Sequence, residues 1–222
     1  MLTLPPQIKA LVFDAFGTLF DVYSLDQRLE THFGEQAPAI NAVWRQKQLQ
    51  YTWLRSLMNR YKPFSAVTAE ALTFACKEVG VELPEEVKAH MVQGYYELQA
   101  YPTLKNGLAE LQKHYQLAIL SNADPAMLNS AAKFNQIDHF FEAILSVDKL
   151  QLFKPIPAVY ELAPEALKLH ASEIAFVSSN TWDVSGAKSF GLFTIWLNRN
   201  ASTMEELGFP PDIEIDKLEA LV

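Results

Sequence analysis

A chain of 222 residues, 50% hydrophobic and 20% charged, is long enough for one large globular domain or one domain with a smaller insertion, and it can build a core without staples. Its 18 basic and 26 acidic residues give a formal net charge of -8, which makes nucleic acid and anionic membrane surfaces poor partners, and no apolar segment reaches membrane-spanning length. The single Cys76, beside Phe74 and Ala75, cannot pair internally and reads as a small buried hydrophobe; with no signal-peptide pattern in MLTLPP, a cytoplasmic protein is expected.

In chain order, residues 8–13 predict a first strand, an Ile, Leu, Val and Phe cluster after the punctuation of Pro5 and Pro6. It stops on Asp14 and turns through Gly17 and Thr18. A carboxylate between Phe13 and Ala15, in a segment apolar enough for a sheet centre, needs partners or costs several kcal/mol. A plain turn-capping role is the alternative.

Helical spacing then takes over. Ser24 with Gln27 suggests a capping box, with Leu25, Leu29 and Phe33 at four-residue intervals before Gly34. A longer helix carries Ile40, Val43, Trp44, Tyr51, Leu54, Met58 and Tyr61 on roughly one stripe, and Pro63 stops it. Further helices are predicted over 67–79, closed by Gly80, and from Pro84 through Val87, Met91 and Tyr95. Residues 22–98 thus read as an all-helical insertion between a core of 1–21 and 99–222.

After Tyr101 and Pro102 the chain alternates helix and strand. Leu104, Leu108 and Leu111 mark a helix, 117–121 a strand, and Asp124 and Pro125 the cap and first turn of another helix. Strands follow at Ala143–Ser146, Ile174–Ser178 and Phe193–Leu197. This alternation implies crossover connections and a mostly parallel sheet, an α/β class. Pro164 interrupts the helical run 158–169, where a continuous helix would lose about 3 kcal/mol, so a kink or two short helices are expected.

The unusual polar residues fall at strand ends. The first strand ends in Asp14, the second in Ser121 and Asn122, the third leads towards Lys154 and Pro155, and the fourth ends in Ser178, Ser179 and Asn180 with Asp183 close behind. A parallel sheet brings these ends to one edge. Taken singly, Ser121 and Asn122 suit turns, Asn180 and Asp183 suit helix caps, and Lys154 suits a solvated face. Together they suggest a site in which Lys154 would keep Asp14 ionised.

The motifs FDAFGTL, LSN, LFKP and VSSNTWD resemble the four motifs of the haloacid dehalogenase superfamily in order and spacing. WRQKQLQYTWLRSLMNRY, residues 44–61, is similar to the cap of the L-2-haloacid dehalogenases in particular. The resemblance implies a Rossmann-like, mostly parallel sheet core with an inserted helical cap subdomain. The superfamily's phosphatases use a second Asp and magnesium, but here Phe16 takes that Asp position and Ser179 replaces an acid common in the last motif. Asp14 and Asp183 alone make a poor magnesium site, so neither metal nor organic cofactor is expected.

The implied reaction converts short L-2-haloalkanoic acids to D-2-hydroxy acids. Asp14 attacks C2, halide leaves with inversion, and water opens the aspartyl ester. By the same resemblance Lys154 holds Asp14 ionised, Thr18 and Ser178 orient it, and Ser121 binds the substrate carboxylate. Arg45, Asn122 and Trp182 form a halide cradle, Asn180 and Asp183 position water, and Tyr160 matches a residue important for activity. Phe16, Gln46, Leu49 and Phe64 line the pocket. Without the resemblance, Arg45 among Gln46, Lys47 and Gln48 reads as a solvated face. A magnesium-dependent phosphohydrolase and a non-catalytic binding protein are the alternatives, and a homodimer is expected by analogy.

Overall fold

The computed structural model describes residues 3–221. β1 (Ala10–Phe13) is followed by four helices, α1 (Asp26–Phe33), α2 (Ala37–Leu57), α3 (Phe64–Val79) and α4 (Glu85–Gly94). The chain then runs through α5 (Leu104–Leu111), β2 (Gln116–Ser121), α6 (Pro125–Phe134), β3 (Ala143–Ser146), α7 (Pro157–Tyr160) and α8 (Leu162–Leu167). It ends with β4 (Ile174–Ser178), α9 (Thr181–Phe190), β5 (Phe193–Leu197) and β6 (Ile213–Ile215).

The six strands form one sheet in the order β3-β2-β1-β4-β5-β6, with every neighbouring pair parallel. β1 lies between β2 and β4, Phe13 standing opposite both Ile119 and Val177. It is buried along its whole length, so its sequence is a continuous apolar run rather than an alternating one. Because the strands run the same way, the segments after β1, β2, β4 and β5 all emerge at one edge. The α/β architecture with a parallel sheet agrees with the sequence pattern.

Pro164 falls where the chain forms two short helices, α7 and α8, separated at Glu161. It sits in the first turn of α8, where the N–H it lacks would have no partner within the helix. Asp124 caps α6 as expected, accepting from Met127 N at 3.2 Å, and its other oxygen accepts from Ser65 N at 2.9 Å in the first turn of α3. One carboxylate therefore ties the helical segment between β1 and β2 to the sheet.

Several local expectations are corrected. Ser24 and Gln27 form no capping box: Ser24 Oγ donates to the Asp21 carbonyl at 2.6 Å, and Asp21 Oδ1 accepts from Tyr23 N at 2.9 Å. The earlier carboxylate captures the turn, a short 3-10 helix over Val22–Leu25, and α1 begins at Asp26 without a side-chain cap. α2 ends at Leu57, before Pro63, and the chain turns through Asn59 at φ 53°. Pro63 instead precedes the first residue of α3. The buried face of α2 is Ala37, Ile40, Trp44, Gln48 and Thr52, whereas Leu54 and Met58 are exposed. Tyr61 has left the helix, and its hydroxyl donates to Asp148 Oδ1 at 2.7 Å. β6 had no counterpart in the sequence reading; it is a three-residue edge strand whose central Glu214 is exposed.

No helix among the described residues is long and apolar enough to cross a membrane.

Candidate active site

β1 delivers Asp14 to the sheet edge, where its N–H extends the ladder to the Val177 carbonyl at 2.9 Å. The loop then closes tightly: the Ala15 carbonyl accepts from the N–H groups of Thr18, Leu19 and Phe20. Gly17 takes φ 87°, a left-handed conformation that a β-carbon would strain. This turn folds Thr18 back over Asp14. Thr18 Oγ1 donates to Asp14 Oδ2 at 2.9 Å and accepts from Ser179 N at 2.9 Å, joining the loops that follow β1 and β4.

Asp14 is 6% exposed, and its two oxygens are treated differently. Oδ2 accepts from Thr18 and from Asn180 Nδ2 at 2.7 Å, with Ser178 Oγ at 3.5 Å. Oδ1 faces Lys154 Nζ at 3.1 Å. The same ammonium lies 2.9 Å from Asp183 Oδ2 and 4.8 Å from the centre of the Phe176 ring. Lys154 and Asp183 are both wholly buried. The bond from Lys154 to Pro155 is cis, and Lys154 N donates to Asn122 Oδ1 at 2.9 Å.

Two carboxylates thus share one ammonium. Burial works against the charge of Lys154, but Asp14 and Asp183 outweigh it and hold the ammonium above the ordinary lysine value. Asp183 is pushed up to about 6 by burial, against the attraction of Lys154 and with added repulsion from Asp14. Its Oδ1 accepts from the Tyr160 hydroxyl at 2.7 Å. Burial, and then the charge of Asp183, drive the Tyr160 phenol well above its usual range, so it stays a donor.

Ser121 and Asn122 occupy the next strand end. Ser121 Oγ accepts from Ala123 N at 3.1 Å and is buried. Asn122 commits its carbonyl oxygen to Lys154 N, so its amide N–H groups point elsewhere, with no hydrogen-bond acceptor among the described residues. Phe16 packs its ring 5.9 Å from Phe64 and 5.7 Å from Tyr95, while its carbonyl accepts from Asn180 Nδ2 at 3.1 Å. Thr18, Asn180, Ser178, Lys154, Asp183, Tyr160 and Asp14 therefore form one bonded cluster, with Asn122 attached to its lysine backbone.

The remaining candidates lie around this cluster. Trp182, half-buried in the first turn of α9, meets Trp53 of α2 edge to face at 5.7 Å, and its buried indole N–H has no partner in the described structure. Arg45 is half-buried and lines a cavity of about 390 Å³ with Asp26, Glu30 and Asn41; its guanidinium donates to Gln48 Oε1 at 2.5 Å. No hydrogen bond joins Arg45, Asn122 and Trp182 to one another. Gln46 is exposed and Leu49 half-buried on α2, outside the bonded cluster.

Arg199 escaped sequence reasoning. It donates to the Thr18 carbonyl at 2.9 Å and to Ser179 Oγ at 3.0 Å, and its guanidinium lies 3.9 Å from the centre of the Tyr101 ring. It follows β5 by two residues, so the strand-end rule that picked out the other residues would have found it at the fifth strand. Gln48 and Tyr95 were missed too: Gln48 is a fully buried polar residue on the buried face of α2, beside Trp44 and Thr52. The assembled parts are a carboxylate with one immobilised oxygen, a fixed cation and a second carboxylate of raised basicity. Such a set suits covalent attack followed by activation of water.

Comparison with known proteins fits this chemistry. A sequence model described as haloacid dehalogenase-like hydrolase matches residues 8–191. The chain is 44% identical over 216 residues to the (S)-2-haloacid dehalogenase of Pseudomonas sp. (strain YL), covering 97% of this chain and 93% of that protein. It is 41% identical to (S)-2-haloacid dehalogenase 2 of Pseudomonas sp. (strain CBS-3), covering 97% and 94%. The structure of L-2-haloacid dehalogenase from Xanthobacter autotrophicus with chloropropionic acid covalently bound superposes with a TM-score of 0.91 at 38% identity, covering 95% of each chain.

Proposed function

The chain belongs to the haloacid dehalogenase-like hydrolases, and from that premise we propose that it is an (S)-2-haloacid dehalogenase, converting short L-2-haloalkanoic acids to D-2-hydroxy acids and halide. The observation that carries this reading is the asymmetry of Asp14. Oδ2 is immobilised by Thr18 and Asn180, whereas Oδ1 meets only Lys154 among the described residues and keeps a lone pair for attack.

In the first step Asp14 Oδ1 forms a bond to C2 as the carbon–halogen bond breaks, and the electron pair leaves with the halide. Lys154 supplies the opposite charge that a buried carboxylate needs. The Ser121 hydroxyl holds the substrate carboxylate. Arg45, Asn122 and Trp182 receive the halide; the buried indole N–H of Trp182, unpaired among the described residues, supports this role, because buried donors are normally satisfied. Phe16, Phe64, Leu49 and Gln46 border the reacting carbon and limit access of water.

In the second step water adds to the ester carbon of Asp14. Asn180 orients it and Asp183 takes one of its protons. As the tetrahedral adduct collapses, the ester carbon–oxygen bond breaks, the departing alkoxide takes that proton from Asp183 and leaves as the hydroxy acid, and the Asp14 carboxyl group releases the second proton to solvent to restore the carboxylate. The raised basicity of Asp183 supports that role, and the Tyr160 hydroxyl holds it in place. Asp14 and Asp183 already share the Lys154 ammonium, and the neighbouring Phe16 and Ser179 add no carboxylate, so the reading includes no metal. We assign residues 22–98 to a cap over a core of 1–21 and 99–222, supported by the Asp124 to Ser65 and Tyr61 to Asp148 ties.

We propose a cytoplasmic protein with a small-molecule substrate and neither nucleic acid nor membrane as partner, a reading supported by the net charge of -8 and the single cysteine. The exposed Leu54, Leu57 and Met58 at the end of α2 support a homodimer, and a monomeric mass by light scattering would overturn that part. The activity is tested by halide release from L-2-chloropropanoate in excess EDTA, with the D enantiomer as control. Turnover confined to phosphate esters and requiring magnesium would reverse the assignment.

A further inference from the structure

Inside the helical segment, one fully buried amide stands beside Arg45. Gln48 Oε1 accepts from the Arg45 guanidinium at 2.5 Å and from the Tyr95 hydroxyl at 3.4 Å, and Gln48 Nε2 donates to Thr68 Oγ1 at 2.8 Å. Thr68 Oγ1 in turn donates its only hydrogen to the Phe64 carbonyl at 2.8 Å. These bonds fix the amide unambiguously. A hydroxyl whose hydrogen is spent on Phe64 can only accept from Gln48, so the amide nitrogen faces Thr68 and the carbonyl oxygen faces Arg45. The Trp44 indole, donating to the Thr68 carbonyl at 2.8 Å, locks the frame from α2.

We propose that Gln48 is a positioning residue for the leaving halide: it aims the Arg45 guanidinium through a neutral acceptor, adding no carboxylate to the Asp26 and Glu30 that line the same cavity. This rests on the proposed role of Arg45 in the halide cradle. An arginine on a half-buried helix face needs an acceptor to hold one rotamer, and the strongest acceptor, a carboxylate, would also neutralise it. A neutral amide gives direction without charge. The same chain of bonds reaches Phe64, so the cation and one apolar wall of the pocket are set by one buried group.

The nearly isosteric Gln48→Glu separates aiming from charge, because it keeps the acceptor beside Arg45 and cancels the cation. Stabilising the departing anion matters more for chloride than for bromide, which is the better leaving group. The test compares single-turnover release of chloride and bromide from L-2-chloropropanoate and L-2-bromopropanoate, together with inhibition by added bromide. In folded Gln48→Glu the bromo-to-chloro rate ratio is expected to rise about tenfold or more, and the inhibition constant for bromide to rise by about as much. Breakdown of the ester, followed in the same experiment, is expected to keep its wild-type rate.

Gln48→Met keeps the volume and the Arg45 charge but removes the acceptor, and is expected to raise the ratio about threefold. It decides the matter if the glutamate variant does not fold. An unchanged ratio and bromide inhibition in a folded variant would overturn the positioning role, since general damage slows both substrates alike. Absence of halide release by the wild-type enzyme would instead sink the dehalogenase reading, and the role of Gln48 with it.

Discussion

The Tyr160 hydroxyl donates to Asp183 Oδ1 at 2.7 Å, so the carboxylate pushed up to about 6 by burial is also the one given a neutral donor that partly offsets the penalty. In the proposed hydrolysis step Asp183 accepts a proton from water and must be ionised to do so, so ester hydrolysis is expected to decline as pH falls through about 6. Tyr160→Phe removes a bond that favours the charged form. The acidic limb of the hydrolysis step should therefore move to higher pH, while the displacement step keeps its profile. Pre-steady-state rates of halide release and product formation across pH check this, and an acidic limb that stays in place would remove the tyrosine from the tuning of Asp183.

Asp14→Asn replaces the proposed attacking oxygen with a far weaker nucleophile. Halide release is expected to fall by at least about three orders of magnitude with the fold retained, checked by circular dichroism and halide assay. A single turnover of wild-type enzyme in oxygen-18 water should place label in the Asp14 side chain. Label found only in the product would indicate direct attack by water.

Lys154→Met leaves Asp14 and Asp183 buried without their shared cation. Loss of about 3–5 kcal/mol at neutral pH is expected from denaturant unfolding, in keeping with breaking a buried ion pair from one side. The raised value of Lys154 in the folded state means that its contribution is complete below the ordinary lysine pKa and fades only as pH rises beyond it. The gap between wild type and variant should therefore persist up to about pH 10 and narrow above it. A variant as stable as wild type would mean that the two carboxylates tolerate each other unaided.

Arg199→Lys keeps a charge but loses the planar fork that spans the Thr18 carbonyl and Ser179 Oγ. The Asp14 loop should loosen, lowering kcat by about tenfold with KM little changed, because the proposed holder of the substrate carboxylate, Ser121, is not part of that clamp. Steady-state kinetics separate the two parameters. A change in KM alone would place Arg199 in substrate binding instead.

Much of the site was legible because its residues follow strands, and a parallel sheet turns strand ends into neighbours. Asp14, Asn122, Lys154, Ser178 and Asp183 could be grouped that way before any geometry was known. Gln48 could not, since a glutamine between Lys47 and Leu49 on a polar stretch of helix gives no sign of burial until α3 packs over it. Arg199 was legible in principle by the same rule, two residues past the predicted strand Phe193–Leu197. β6 was hidden by its length, and the turn at Asp21 by competition among neighbouring capping groups. Arg45 carried meaning only through resemblance, its local sequence being that of an ordinary solvated face.

The clamp from Arg199 to the loop behind Asp14 also has a bearing on biosynthesis. Residue 14 leaves the ribosome long before its cation at 154, its donors at 178 and 180, and the guanidinium at 199. A nascent chain ending before about residue 155 would bury an unpaired anion if its first strand docked into a sheet, so the central strand has reason to wait. Dehalogenase activity should accordingly be absent from nascent chains that lack residues 154–199 and arise in one event, when that segment closes over an Asp14 made long before.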